Sequence, residues 1–148
     1  MASILVVHGP NLNLLGLRET DIYGTATLDS INKKLESMAY EKKIDCLFFQ
    51  SNHEGQIIDY LQQHKDHIDF IIINPAAYTH TSIAIRDALL AVSIPFIETH
   101  LSNPSKREHF RQTSYFSDIA YGIISGFGAK SYELAMLAGI EYCQHNCV

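Results

Sequence analysis

Short apolar runs alternate along this chain with longer segments in which apolar residues recur every three or four positions. Five of the short runs have the length of strands: residues 4–8, 45–49, 69–74, 94–99 and 121–125. All five are apolar on both faces, which is typical of parallel strands that are covered by helices on each side. The pattern therefore predicts an α/β protein built on a five-stranded parallel sheet.

The longer segments have helical periodicity. One helix is predicted from Leu28 onward behind a Thr27 cap. Three more are predicted after "NHEG", from the stripe Ile85, Ala88, Leu89 and Val92 behind Thr79 or Thr81, and over about residues 129–142. Five βα units with right-handed crossovers give a doubly wound, flavodoxin-like sheet. The chain has 148 residues without repeats or linkers, so we expect residues 1–148 to form a single domain.

Composition and charge narrow the classes of partner. No apolar run approaches the roughly 18 residues that span a bilayer, and no secretory signal is visible, so we expect a cytoplasmic protein with no membrane partner. The formal net charge of −5 argues against nucleic acid, which normally requires a basic face. An anionic ligand is therefore expected to be small.

Several kinds of chemistry lack their usual signals. The terminal "CQHNC", with Cys143 and Cys147, has metal-ligand spacing, but no second Cys/His pair stands nearby, and we interpret it as a frayed tail without a metal site. The chain has no phosphate-binding glycine motif and no GxSxG elbow. The lysines fall in polar contexts that do not favour imine formation. What remains is acid and base chemistry without a cofactor.

Polar residues gather after the first, third and fourth predicted strands, at the edge where an open parallel sheet binds its ligands. They are Asn11, Arg18, Tyr23, Asn74, His80, His100, Ser102, Arg107 and Arg111. Each also has an ordinary interpretation: the asparagines as turn formers, His80 as a solvent-facing residue, and the arginines as a solvated helix edge. Three converging strand ends nevertheless favour a site for a small, hydroxylated, anionic molecule.

The segment "GLRETDIYG", residues 16–24, is either a decorated surface loop or a mobile lid. A tyrosine is a poor base at neutral pH, but a nearby cation favours its phenolate form, and Arg18 lies on the same segment as Tyr23. Glu98 and His100 are two residues apart on a strand and so share a face, where the carboxylate favours a protonated imidazole. A phenolate base and an imidazolium acid suit proton abstraction next to a carbonyl and loss of a β-hydroxyl, which is the chemistry of a dehydratase.

Four separated motifs carry a family resemblance: "GPNLNLLGLRETDIYG", "QSNHEG", "INPAAYTHTSIAIRDAL" and "ETHLSNPSKREHFRQTS". With them the chain closely resembles the type II 3-dehydroquinate dehydratases, or type II dehydroquinases. The resemblance implies conversion of 3-dehydroquinate to 3-dehydroshikimate by anti elimination of water through an enolate, with no metal, imine or redox cofactor. This step serves aromatic biosynthesis in the shikimate pathway or quinate breakdown. The resemblance also implies a dodecamer built from trimers.

The resemblance further implies a role for each matching residue. Tyr23 would remove the proton with support from Arg18, His100 would protonate the leaving hydroxyl, and Asn11 would help to stabilise the enolate. Asn74, His80 and Arg111 would bind the substrate hydroxyls, and Leu101 and Ser102 would bind its carboxylate. Arg107 would be a substrate-binding arginine that contacts the lid. Asp87 would contact the substrate near a subunit boundary, although an ordinary ion pair is an equally plausible role for it.

Two other functions remain open at this point. The first is a non-catalytic module that binds quinate-like or shikimate-like ligands on the same fold; the presence of Tyr23, Arg18 and His100 argues against it. The second is a flavin-binding electron carrier, for which fold analogy is the only support.

Overall fold

Five parallel strands form the centre of the protein in a computed structural model that describes residues 1–17 and 19–147. The strands are β1 (Ser3–His8), β2 (Asp45–Gln50), β3 (Phe70–Asn74), β4 (Phe96–His100) and β5 (Gly122–Ser125). They are ordered β2-β1-β3-β4-β5, and every neighbouring pair is parallel. This arrangement confirms the predicted flavodoxin-like, doubly wound sheet.

Helices cover both faces of the sheet. They are α1 (Thr20–Tyr23), α2 (Leu28–Glu41), α3 (Glu54–His64), α4 (Ile83–Val92) and α5 (Ala129–Asn146). Helices α2 and α5 pack together on one face, and α3 and α4 pack together on the other. Successive side chains of β1 alternate between the two cores: Ile4 and Val6 point to the first, and Leu5 and Val7 to the second. Among the described residues, no helix has both the length and the apolar character needed to cross a membrane.

The structure confirms one predicted helix cap and corrects another. Thr27 caps α2 through a reciprocal pair of 3.1 Å hydrogen bonds with Ser30. Helix α4 is capped by Ser82, whose hydroxyl accepts a 3.0 Å hydrogen bond from the Ile85 N–H, and not by Thr79 or Thr81. The reason is that a 3-10 turn over Ala76–His80 takes up Thr79 before α4 begins.

The prediction that the C-terminal segment "CQHNC" is a frayed tail is wrong for most of that segment. Helix α5 continues to Asn146, because Cys143 is buried in the core and extends the apolar side of the helix. Cys147 follows as the C-terminal cap, with its N–H donating to the Cys143 carbonyl.

The strand register brings the carboxyl ends of β1, β2 and β3 level with one another at the predicted ligand-binding edge. His8 of β1 pairs with Gln50 of β2 on one side and with Asn74 of β3 on the other. The Gly9 N–H then donates a 2.8 Å hydrogen bond to the Asn74 carbonyl, which draws the loop after β1 against the end of β3. The loops that carry the polar residues therefore leave the sheet side by side.

Gly9 is required by this close approach. A Cβ atom at this position would lie 2.4 Å from the Pro75 carbonyl oxygen, whereas a Cβ at Gly55 in α3 would meet nothing within 4 Å. We expect Gly9→Ala to lower the free energy of unfolding by about 1–3 kcal/mol, as overpacking does. Gly55→Ala should raise it by about 0.4–1 kcal/mol, because alanine restricts the unfolded chain. Denaturant unfolding of the two variants measures both effects, and equal stabilities would contradict the prediction.

Candidate active site

A cavity of about 220 Å³ opens at the carboxyl ends of β1, β3 and β4. It gathers most of the side chains that sequence reasoning assigned to the site. Those that line it are Asn11, Tyr23, Asn74, His80, His100, Leu101, Ser102, Arg107 and Arg111. The cavity is therefore lined by neutral hydrogen-bonding groups and two cations, with apolar contributions from residues of the flanking turns.

Arg18 lies outside the described residues. Of the described site residues that were predicted, Asp87 and Glu98 do not line the cavity. Asp87 is exposed on α4 and does not line the cavity of this chain, so its role stays a prediction that requires a neighbouring subunit. The Glu98 carboxylate instead contacts the imidazole of His100, which does line the cavity.

The acid predicted from the sequence, His100, is held by a buried carboxylate. His100 Nε2 lies 2.6 Å from Glu98 Oε2, and Glu98 is only 2% exposed. Since the carboxylate can only accept, Nε2 donates to it, which leaves Nδ1 as the nitrogen available to a ligand.

Glu98 is itself held by two serines that sequence reasoning missed. Ser117 Oγ donates to Glu98 Oε1 at 2.6 Å, and Ser114 Oγ lies within 3.1 Å of both carboxylate oxygens. Burial alone would raise the pKa of Glu98, but the hydrogen bonds from His100, Ser117 and Ser114, together with the charge of His100, outweigh burial and lower it. The carboxylate therefore stays ionised beside the imidazole.

His80 has a different environment in the same cavity. Its Nδ1 lies 2.7 Å from the Thr113 carbonyl, so Nδ1–H is the donor and Nε2 is left as an acceptor. Partial burial lowers the pKa of His80, although the Thr113 carbonyl opposes this, and the charges of His100 and Arg111 lower it further. His80 is thus suited to accept a hydrogen bond from a ligand hydroxyl.

The loop that carries Asn11 is fixed from the end of β2. Asn11 has a left-handed backbone with φ of 69°, and its N–H donates a 2.9 Å hydrogen bond to Asn52 Oδ1. Gln50 Nε2 donates to the Gly9 carbonyl and to Asn52 Oδ1, both at 3.2 Å. The sequence had indicated "QSNHEG" only as one of the four motifs of the family resemblance, without a role for Gln50 or Asn52 in the site.

Among the described residues, the arginines that line the cavity are Arg107 and Arg111. The Arg107 guanidinium lies 5.2 Å from the centre of the Tyr23 ring, and its Nη1 donates to Ser102 Oγ at 3.3 Å. Arg111 Nε donates to Glu108 at 3.1 Å while its side chain remains about a quarter exposed. A half-enclosed pair of guanidinium groups favours an anionic ligand. Tyr23, at the end of α1, lies directly beneath one of these cations.

Known proteins resemble this chain along nearly its whole length. The family model described as Dehydroquinase class II matches residues 2–140. A 3-dehydroquinate dehydratase from Hahella chejuensis is 62% identical over 142 residues, covering 95% of this chain and 97% of the relative. Its counterpart from Polynucleobacter asymbioticus is 58% identical over 144 residues, covering 97% of both chains. The crystal structure of type II dehydroquinase from Butyrivibrio crossotus superposes with a TM-score of 0.90 at 44% identity, covering 95% of this chain and 97% of that one.

The Glu98 cluster predicts a specific acid sensitivity. Because the pKa of Glu98 is lowered by folding, its stabilising contribution is complete above the ordinary glutamate pKa of about 4.3 and is lost as the pH falls through the lower folded value. We expect Glu98→Gln to be less stable than the original chain at neutral pH, with the gap narrowing on acidification. Thermal unfolding from about pH 7 to about pH 3 measures the gap.

The matched control is Glu108→Gln, since Glu108 has an ion pair but is exposed to solvent. Its stability difference should be small throughout the range, because solvent screens exposed pairs. A gap for Glu98→Gln that stays constant with pH would contradict the prediction.

Proposed function

The chain belongs to the class II dehydroquinase family, and we propose that it dehydrates 3-dehydroquinate to 3-dehydroshikimate with Tyr23 as base and His100 as acid. The observation that carries the assignment of these roles is the convergence of Tyr23, from α1, and the Glu98–His100 pair, from β4, on one cavity. The enzyme is a carbon–oxygen lyase of the shikimate pathway or of quinate breakdown.

The first step is proton abstraction by the Tyr23 phenolate from the carbon next to the substrate ketone. The C–H bond breaks, and its electron pair moves onto the carbonyl oxygen to form an enolate. The Arg107 guanidinium lies 5.2 Å from the centre of the Tyr23 ring. We propose that Arg18, which lies on the same segment of the chain as Tyr23, supports the phenolate form of the base.

The second step is loss of the β-hydroxyl. The enolate electron pair returns to carbon, the carbon–oxygen bond breaks, and His100 donates its Nδ1 proton so that the hydroxyl leaves as water. Glu98 stabilises the imidazolium that this step requires, because its ionised carboxylate lies 2.6 Å from Nε2. With the base and the acid on opposite sides of the substrate ring, the elimination is anti.

The remaining cavity residues bind the substrate or stabilise the enolate. Asn11 is held in a left-handed conformation at the rim, where its carboxamide orients a water or donates toward the enolate oxygen. Hydroxyl groups of the substrate are bound by Asn74, His80 and Arg111, its carboxylate is bound at Leu101 and Ser102, and Arg107 joins the lid to the site.

We propose that the active form is a dodecamer built from four trimers, as the family resemblance implies. One feature of the chain is consistent with an assembly: Ile83 and Leu90, seven residues apart on α4, are 57% and 49% exposed. Asp87 lies on the same helix, so the proposal also places its substrate contact in the cavity of a neighbouring subunit.

The decisive assay follows the ultraviolet absorbance of the conjugated enone when purified protein is mixed with 3-dehydroquinate. We expect the absorbance to rise in proportion to the amount of enzyme. A binding module of the same fold would instead shift its own spectra or melting temperature with the ligand and give no enone. Absence of the enone signal above background would therefore refute the proposed reaction.

The role of Tyr23 is tested by Tyr23→Phe, which removes the phenol oxygen and keeps the ring beneath Arg107. We expect kcat to fall by about 100-fold to 10,000-fold, the usual cost of losing a general base, with the fold intact by circular dichroism. Tyr40→Phe is the matched control, because Tyr40 is 81% exposed on α2, away from the cavity. Turnover of Tyr23→Phe within a few-fold of that of the control would rule out Tyr23 as the base.

A further inference from the structure

The loop between β5 and α5, residues 126–128, supports the backbone at the end of β4. Parallel pairing of β4 with β5 extends to His100. Beyond this pair the Gly126 N–H donates to the His100 carbonyl at 3.3 Å, and the Gly128 N–H donates to the Leu101 carbonyl at 2.9 Å. The loop therefore holds two successive carbonyl groups at the end of β4 on its own side.

The positions of these carbonyls fix the direction of the N–H groups that follow them. In a trans peptide the C=O and N–H bonds point in opposite directions. The Leu101 N–H shares a peptide with the His100 carbonyl, and the Ser102 N–H shares one with the Leu101 carbonyl. Both N–H groups therefore point away from the loop, towards the β3 side of β4. A regular strand would instead direct successive N–H groups to opposite sides.

These two N–H groups belong to residues that line the cavity. Leu101 and Ser102 line it together with Asn74, the last residue of β3. Among the described residues, neither N–H has a hydrogen-bond partner, although Leu101 is only 3% exposed. A buried N–H without a partner is rare in folded proteins, and successive N–H groups on one side form a concavity that binds anions. The two observations together favour an anionic group of the ligand as the partner.

We propose that Gly128 is a positioning residue: its N–H holds the Leu101 carbonyl so that the Leu101 and Ser102 N–H groups face the substrate carboxylate. This inference rests on the proposed function, in which Leu101 and Ser102 bind that carboxylate. Gly128 has a φ of 62° and a ψ of −143°, a conformation that residues other than glycine rarely adopt. A Cβ atom there would meet nothing within 4 Å, so the backbone conformation, and not lack of space, requires glycine.

The first experiment is steady-state kinetics of Gly128→Ala with 3-dehydroquinate. Alanine forces the backbone out of this conformation, which removes or lengthens the hydrogen bond to Leu101. The carboxylate contact is made in both the bound substrate and the transition state, so its weakening should raise KM and leave kcat within about 2-fold. We expect KM to rise about 10-fold, the effect of weakening one hydrogen bond to a charged group.

The matched control is Ala129→Gly. It weakens the first turn of α5, which begins at Ala129, and leaves Gly128 with its hydrogen bond to Leu101. The control should keep the original KM. An unchanged KM in Gly128→Ala, or an equal rise in Ala129→Gly, would overturn the proposal.

The second experiment separates carboxylate positioning from a merely structural role. Calorimetry measures the affinities for 3-dehydroshikimate and for its methyl ester, which lacks the charge. The ratio of the acid affinity to the ester affinity should fall about 10-fold in Gly128→Ala, because only the acid presents a carboxylate to the two N–H groups. Gly128→Asn should lower the ratio less, since asparagine takes up positive φ more readily than alanine.

The asparagine variant also decides the proposal should Gly128→Ala fail to fold. A ratio that is unchanged in every folded variant at position 128 would overturn the proposal. An equal loss of affinity for the acid and the ester would likewise overturn it, because general damage to the cavity acts on both ligands.

A third measurement does not depend on turnover. The backbone amide signal of Ser102 in ¹⁵N NMR of the ligand-free protein should shift in Gly128→Ala, because this amide shares a peptide with the Leu101 carbonyl. It should keep its position in Ala129→Gly. If the original protein gave no enone, the reaction would be refuted, while this signal would still decide whether Gly128 holds the peptide. A Ser102 signal that is the same in Gly128→Ala and in the original protein would overturn the positioning role.

Discussion

A carboxylate buried at the carboxyl end of β4 imposes the main constraint on this site. Removing an ionised carboxylate from water costs several kcal/mol unless hydrogen bonds and a counter-charge replace the lost hydration. Glu98 obtains them from His100, Ser114 and Ser117. The segment after residue 112 must therefore fold back over the strand end, and the same hydrogen bonds that satisfy Glu98 set the orientation of the imidazole. The same hydrogen bonds therefore stabilise this end of β4 and orient the His100 imidazole.

Tyr23, the proposed base, lies on a different kind of structure. Tyr23 ends a helix of four residues between Gly16 and Gly24, which both have positive φ values, 87° and 80°. A side chain at either glycine would be strained, and at Gly16 it would also press on the Thr25 carbonyl at 3.1 Å. The segment is thus built to turn sharply at both ends. His100 therefore lies on an inner strand with its supporting hydrogen bonds buried, whereas Tyr23 lies on a short segment outside the sheet.

Sequence reasoning recovered what depends on periodicity and on strand ends. The five strands, the Thr27 cap and the side chains after β1, β3 and β4 were all predictable, because parallel strands bring their carboxyl ends to one edge. It did not recover Ser114 and Ser117, which lie 16 and 19 residues from the glutamate they hold, nor the hydrogen bond between Tyr132 and His8, which lie 124 residues apart. Such contacts depend on how distant loops and helices pack against the sheet. The residues around a serine or a tyrosine do not indicate that packing.

The two histidines of the cavity have environments that separate their roles. His100 donates from Nε2 to a buried carboxylate, an anionic partner at 2.6 Å. His80 presents Nδ1 to the Thr113 carbonyl, a neutral acceptor, and lies near Arg111, so a second proton there would meet repulsion instead. The two imidazoles therefore have different electrostatic surroundings in one small cavity. The difference comes from the partner behind each ring, a buried carboxylate for His100 and a backbone carbonyl for His80.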